Sequence, residues 1–538
     1  MGVTWIERLG SCWVNFGGHR RLLGILLLLS CAAVAVVGVP RIRIFGHDIF
    51  VSLDGGWRVL NGQRPAVDFY AQMGPAYYLL HAAGLRLAGN DARGLGYGSV
   101  LATGLISLWC YFTLRRRMAP APFFIACLFF ALLAAAPFPL GFPPTHTAFC
   151  MKHNRYSYAL TGMVVLEAFL PEGKNGRERF WGGFSTGAAC ALLLFVKISF
   201  GFVAMAFAGL GWLVRPNRKM TIAGLASGFA AISVPMMTYL RFDLDALVTE
   251  YQLLAGVKAG SLSLYDVLNR IYVDRHEIMP VLVMSLLVAM LPNVRWYRGL
   301  TLVLVALLAT AAGNLLLLTN TQPWGLPLLG AVALLLVNEV TISAAKGAAA
   351  LYVVPMVATG LLGVFFSMVL DAGGIAYAIA DKASRDTSGY RLDAAHLASI
   401  EFVDCREKTL SAWCSMNDNG QNFVRYTEEG LALIARNARP GESVRGMGMS
   451  NPFSYGTLRP PSNGGAVVLC GTNISANAMP RKEALVGDVA LMLLPKFPAT
   501  DRATLQLILD SYPELLTVEY SVIAESPNWV LYRRNSAT

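Results

Sequence analysis

Charge is what this sequence has least of. Only 14% of its 538 residues are Asp, Glu, Lys or Arg, against roughly 25% in a typical soluble domain. Acids are the scarcer sign: 33 Asp and Glu stand against 44 Lys and Arg, a net charge of +11. A chain that is 55% hydrophobic, with a mean hydropathy of +0.50, has too little polar surface for an ordinary soluble enzyme. No arginine-rich tract tracks a phosphate backbone, so a nucleic-acid partner is excluded. The surplus cations read instead as the Lys and Arg that membrane proteins keep on the cytoplasmic side of their spans.

Several catalytic signatures are also missing. There is no GxxxxGK[ST] loop, no nucleophile elbow and no HExxH. No CxxC or His/Cys cluster has metal spacing, and no two-fold internal repeat of the kind seen in transporters is visible. Nine cysteines occur, six of them in or near the apolar two thirds. The other three are Cys405, Cys414 and Cys470. "CREKTLSAWC" closes a short loop, so a Cys405–Cys414 disulfide is expected in an oxidising compartment. Cys470 is expected to be free.

What is present is a series of apolar runs able to cross ~30 Å of hydrocarbon. Residues 22–39 follow "GHRR" and read as an uncleaved first span, although small residues after it also fit a signal peptide. Further spans fit 97–114, 122–138 and 157–170. Residues 181–214 fit a tight pair turning near "KISFG". The rest fit 221–240, 278–291, 300–318, 326–337 and 351–370. Counted this way there are about 11 spans, and the basic turns "RRR", "PEGKNGRERF", "RPNRK" and "NVRWYR" fall on one side. Residues 76–88 read as a helix lying along the outer surface, and 241–277 as a polar outer loop.

Spans stop near residue 371 and soluble patterning begins. "NFVRYTEEGLALIARN" has helical spacing, and "TDRATLQLILDSY" opens on Thr500 or Asp501 as a cap. "AVVLC", "DVALMLL", "YSVIAE" and "WVLYRR" read as strands. The fold class is therefore a polytopic α-helical membrane protein, residues 1–370, with a C-terminal extracytoplasmic α/β domain, residues 371–538.

The outer loops hold the polar residues that need explaining. The first, 40–96, carries Arg41, Arg43, His47, Asp48, Asp54, Arg58, Arg64 and Asp68. The second carries "CMKHNRYSY", with Lys152, His153 and Arg155, while Lys197 sits at the outer turn of the tight pair. A carboxylate at a low-dielectric boundary can serve as a general base, and clustered cations can hold a phosphate. Bland readings exist for most of these residues. Arg41 and Arg43 fit headgroup anchors, His47 and Asp48 a solvated turn, and Asp68 a partner for Arg64. The "KHNR" cluster, Asp243 and Asp245 fit solvated faces, and Lys197 fits a snorkelling side chain. Asp54 is the hardest to dismiss, because Gly55 and Gly56 after it would let the backbone turn sharply beside a ligand.

The stretch "LDGGWRVLNGQRPAVDFYAQMGPAYYLL" resembles the first outer loop of the GT-C superfamily of integral-membrane glycosyltransferases, of the kind that includes dolichyl-phosphate-mannose-dependent mannosyltransferases. Asp54 matches the family's first acidic position and Asp68 its later aspartate. Gly74, Pro75 and Tyr78 match the start of its surface helix, and "GLGYGSVLATGLISLWCYFTLRRR" resembles its second span. The resemblance implies a polyprenyl-phosphate-linked sugar donor, a glycan, lipid or protein acceptor, inversion at the anomeric carbon, and a site on the outer face of a bacterial inner membrane. It makes Asp54 the base, and Lys152, His153, Arg155 and Lys197 the donor-phosphate contacts. Asp68 and Arg58 are then acceptor or loop-ordering residues. Many members of that family carry an acid pair where this chain has Asp54-Gly55, so Asp54 acts alone or Asp48, Asp68 or another acid supplies the second carboxylate. A divalent metal stays open for the same reason. A transporter or flippase of a lipid-linked sugar and a non-catalytic envelope assembly protein are the competing readings. The ionisable residues gather in outer loops and not mid-span, which favours the enzyme.

Overall fold

The computed structural model describes residues 17–173, 175–215, 218–259, 263–320, 322–344, 350–384, 388–404, 420–496 and 501–535. Cys405 and Cys414, and with them the expected disulfide, lie outside the described residues.

A helix stands at each expected span. Helix α1 is Gly17–Val37, and the loop after it holds α2 (Asp48–Leu60) and α3 (Pro75–Leu87). There follow α4 (Gly94–Leu114), α5 (Pro120–Ala135), α6 (Lys152–Phe169), α7 (Gly176–Val196), α8 (Ile198–Val214) and α9 (Arg218–Tyr239). The segment expected to be a polar loop folds instead into α10 (Leu244–Ala259) and α11 (Leu264–Val273). Helices α12 (Arg275–Ala289), α13 (Trp296–Asn320), α14 (Pro327–Ala344) and α15 (Ala350–Ala383) complete the bundle. Among the described residues, five helices are long and apolar enough to cross a membrane, and four further apolar helices are shorter.

Burial explains the order of packing. Helix α6 is buried along its whole length, which fits a central helix wrapped by apolar neighbours. Phe129, Phe130 and Leu133 of α5 and Leu335 of α14 share its core. Helices α7 and α9 approach through Gly183, Gly187, Gly224 and Gly228, where any side chain would strike the opposing backbone; small residues four apart allow such contact within a bilayer.

Two boundaries differ from expectation. Helix α15 does not end near residue 370 but runs on to Ala383. Asp371 there is not the start of a soluble region: it is buried and paired with Arg155 at 2.9 Å. Arg41 and Arg43 are likewise not headgroup anchors, since both reach Asp381 near the end of α15.

The C-terminal module contains α16 (Gly420–Asn437) and a four-stranded sheet of β1 (Val444–Gly446), β2 (Leu491–Pro495), β3 (Tyr520–Glu525) and β4 (Trp529–Arg534), in the order β1-β2-β4-β3. Strands β1 and β2 are parallel, and the other pairs are antiparallel. Helix α17 is Arg502–Ser511. Residues 466–470, expected to be a strand, form only isolated bridges, to Tyr70 and Ser450. Their partner is the first outer loop: Tyr70 donates to Gly465 and accepts from Val467. The module is thus stitched to residues 64–72 and does not stand apart.

Candidate active site

A cavity of about 990 Å³ lies where the first outer loop, the break between α7 and α8, helix α10 and the module converge. The break has a local cause. Lys197 adopts an extended conformation (φ −160°, ψ 113°), ending α7 and opening α8. Gly74 makes the junction possible. Its N–H donates to the Val196 carbonyl at 3.1 Å, and a Cβ there would stand 2.0 Å from the Phe195 oxygen.

At this break the Lys197 ammonium donates to Asn154 Oδ1 at 2.9 Å and stands 3.1 Å from His153 Nε2. Among the described residues no carboxylate is within ion-pair distance of it. Ser199 Oγ, Asn154 Nδ2 and His153 Nδ1 are buried without a hydrogen-bond partner. Lys197, His153, Asn154 and Ser199 all face the cavity. The N-terminus of α8 adds the positive end of its dipole. A donor-rich cluster of this kind is chemically able to receive an anion.

Two acids also face the cavity, Asp48 and Asp501. The carboxylate of Asp501 is already committed to the Gly471 N–H and, at 2.8 Å, to the Thr504 hydroxyl. Asp48 sits in the first turn of α2, where a negative charge is favoured, and its Oδ1 is 3.0 Å from His47 Nε2. A carboxylate that lines a cavity can act as a general base toward a hydroxyl held within hydrogen-bond reach.

Asp54, expected to be that base, is placed elsewhere. It is fully buried in α2, with Oδ2 accepting from Arg58 Nε at 3.0 Å and Oδ1 from Asn451 Nδ2 at 3.1 Å. One oxygen pairs with Arg58 within α2 and the other joins the helix to Asn451 of the module, and Asp54 does not line the cavity. Gly55 and Gly56 do not form a turn but lie inside the helix. A Cβ on Gly55 would fall 2.1 Å from the Tyr78 ring, so the glycine is there to let α3 approach.

Arg58 is the hub of the same joint, donating to Gln63 and to the Ser462 and Gly464 carbonyls at 2.9–3.0 Å. Asp68 is clamped by the side chain and backbone N–H of Arg64 at 2.7–2.8 Å. Burial opposes its charge, but the Arg64 hydrogen bonds prevail and hold its carboxyl below the ordinary range. These bonds tie the first outer loop to itself and to the module.

The "KHNR" cluster divides. Lys152 donates to the Ala135 and Ala136 carbonyls, which end α5, at 3.4 and 2.7 Å. Arg155 donates to the Leu133 and Phe138 carbonyls and to Asp371. Both are therefore taken up in bonds to neighbouring helices and their ends, and neither lines the cavity where a phosphate was expected of them. His153 keeps its expected place, and Lys197 is brought beside it. Asn154, Ser199, Gln72 and Lys258 face the cavity without having been singled out in the sequence. No group of three or more His, Cys, Asp or Glu placed to hold a metal ion occurs among the described residues.

No family model matches the chain, and no curated protein matches it. Among solved structures it is similar to ArnT from Cupriavidus metallidurans bound to undecaprenyl phosphate, with a TM-score of 0.49 and 14% identity over 95% of this chain and 97% of that one. The apo state of the same protein gives 0.41 and 13%, over 96% and 98%. The arabinofuranosyltransferase AftD from Mycobacteria gives 0.43 and 14%, over 96% of this chain and 42% of that one. These likenesses carry no residue into the cavity, whose chemistry rests on this chain's own side chains. By its own architecture, the chain is a polytopic α-helical membrane protein with a C-terminal α/β module.

Proposed function

We propose that the chain is a glycosyltransferase of the GT-C type, moving a sugar from a polyprenyl-phosphate donor to a hydroxyl of an envelope glycan or lipid at the outer face of a bacterial inner membrane. One observation carries this reading: the carboxylate of Asp48 and the donor cluster around Lys197, which has no carboxylate within ion-pair distance among the described residues, line one cavity.

In this mechanism the donor phosphate rests on Lys197, Asn154, Ser199 and the N-terminus of α8. Asp48 removes the proton from the acceptor hydroxyl, and His47 orients its carboxylate. The acceptor oxygen attacks the anomeric carbon as the bond to phosphate breaks, inverting that centre. Polyprenyl phosphate leaves with the bonding electrons, and the cradle stabilises its growing charge. Phe202 and Val248 support a lipid-linked donor, because both line the cavity and are also exposed, at 60% and 46%. Two apolar residues shared by the cavity and the outer surface give a polyprenyl chain a way out sideways.

The test uses the purified full chain in lipid nanodiscs with a panel of polyprenyl-phosphate sugars. Transfer by the wild type and its loss in Asp48→Asn support the reading. Equal turnover in Asp48→Asn removes Asp48 as the base. Movement of a substrate across liposomes with no donor consumed would establish a transporter instead.

A further inference from the structure

Helix α10 forms one wall of the cavity through Val248, Tyr251, Ala255 and Lys258. On the same helix Glu250 is buried, 4% exposed, with no cation within ion-pair distance among the described residues. Burying a carboxylate without a counter-charge is costly, so its partners matter. They are two adjacent backbone groups of the first outer loop: Oε2 accepts from Ala71 N–H at 3.2 Å and Oε1 from Gln72 N–H at 2.8 Å.

Gln72 carries the connection further. It holds a left-handed backbone, φ 62°, which is uncommon for a residue with a side chain and must be imposed by its surroundings. Its side-chain amide bonds Val468 in both directions, Nε2 donating to the Val468 carbonyl and Oε1 accepting from the Val468 N–H. Val468 and Cys470 of the module form the facing wall. Two residues beyond Gln72, Gly74 bonds Val196 beside the Lys197 break. One carboxylate therefore registers α10, the first outer loop and the module against each other, around a cavity that all three enclose.

We propose that Glu250 is a positioning residue for the reaction at this site: it clamps α10 to residues 71–72, and through Gln72 to Val468, and so sets the space in which the acceptor lies relative to the Lys197 cradle. The proposal rests on the glycosyltransferase reading for its chemistry, but the clamp itself is a matter of geometry. Cutting it frees α10 and the module wall to separate, which opens the cavity without touching Asp48 or Lys197.

Native Cys470 reports on this directly, since it lines the cavity and is 7% exposed. The experiment measures its alkylation by a maleimide in the full chain in nanodiscs, reading the Cys470 peptide by mass spectrometry. Acceptor KM and kcat are measured on the same samples. Glu250→Ala and Gln72→Ala are each expected to label about tenfold faster than wild type, the shift that losing one or two buried hydrogen bonds produces. Acceptor KM is expected to rise more than kcat falls, and Glu250→Gln, which keeps one acceptor oxygen, is expected to restore most of both. If Glu250→Ala does not fold, Gln72→Ala still cuts the link to Val468 while leaving Glu250 in place. Wild-type labelling and KM in folded Gln72→Ala and Glu250→Ala protein would overturn the clamp. A wild type that transfers no sugar, with both variants labelling faster, would overturn the glycosyltransferase reading and leave the clamp standing as geometry.

Discussion

Asp48 and Asp54 stand in one helix and serve two different surfaces. Asp48 faces the cavity beside His47, while Asp54 is sealed between Arg58 and Asn451 at the joint with the module. The two asparagine variants should therefore fail differently. Asp48→Asn is expected to lower kcat by about 10²–10⁴-fold, the usual share of a general base, with the melting temperature unchanged. Asp54→Asn leaves the buried Arg58 without its counter-charge, a loss of about 3–5 kcal/mol in typical buried pairs. Its deficit should appear in thermal unfolding followed in detergent.

The division of the "KHNR" cluster makes a second separation. Lys197→Ala removes the cradle's ammonium, and binding of polyprenyl phosphate should weaken by roughly 10–100-fold, in line with losing a charged hydrogen bond. Ser199→Ala should weaken it less. Lys152→Ala should leave that affinity near wild type while lowering the melting temperature, because among the described residues Lys152 bonds the carbonyls that end α5. Isothermal titration with a short-chain polyprenyl phosphate checks both.

Gly74→Ala tests the junction that shapes the break. The added Cβ must displace the Phe195 carbonyl, and overpacking of this kind costs about 1–3 kcal/mol. Both the melting temperature and polyprenyl-phosphate affinity should fall together, since the displaced carbonyl lies beside Lys197.

Glu250 imposes a pH dependence. Burial pushes its carboxyl up from 4.5 to about 8, although the Ala71 and Gln72 N–H groups pull the other way. A carboxyl raised in the folded state binds its proton more tightly there than in the unfolded chain. Its contribution is thus complete below about pH 4.5 and is lost as the pH rises through about 8. Melting temperature should fall between about pH 5 and 9 in the wild type. In Glu250→Gln the fall should be shallower, with differential scanning fluorimetry across that range as the check.

Much of the bundle was legible from apolar run length and the one-sided basic turns, because spanning a bilayer leaves few alternatives for the backbone. The site was legible only in part. His153 and Lys197 were visible as cations near an outer turn. The separation of Lys152 and Arg155 from His153 follows from residues three apart sharing a helix face, but it required knowing that α6 begins at Lys152. Gly55-Gly56 looked like a turn because nothing local reveals Tyr78 packing against it from another helix. Residues 466–470 had strand composition, yet their bridging partner Tyr70 lies in the first outer loop, remote in sequence. Glu250 was invisible for a similar reason: its partners are backbone groups, which leave no trace in side-chain patterns.

The contact between Gly55 and Tyr78 also bears on how this loop can evolve. Tyr78 lies under the α2 backbone and its hydroxyl donates to the Ala71 carbonyl, so it holds the same segment that Glu250 grips. An acidic side chain at position 55 would have to evict that ring, and with it one support of residues 71–72. A side chain at position 55 would therefore cost this loop a packing contact before it could contribute any chemistry. Under the proposed mechanism the reacting carboxylate is instead Asp48, at the start of the same helix and more than one turn before Asp54.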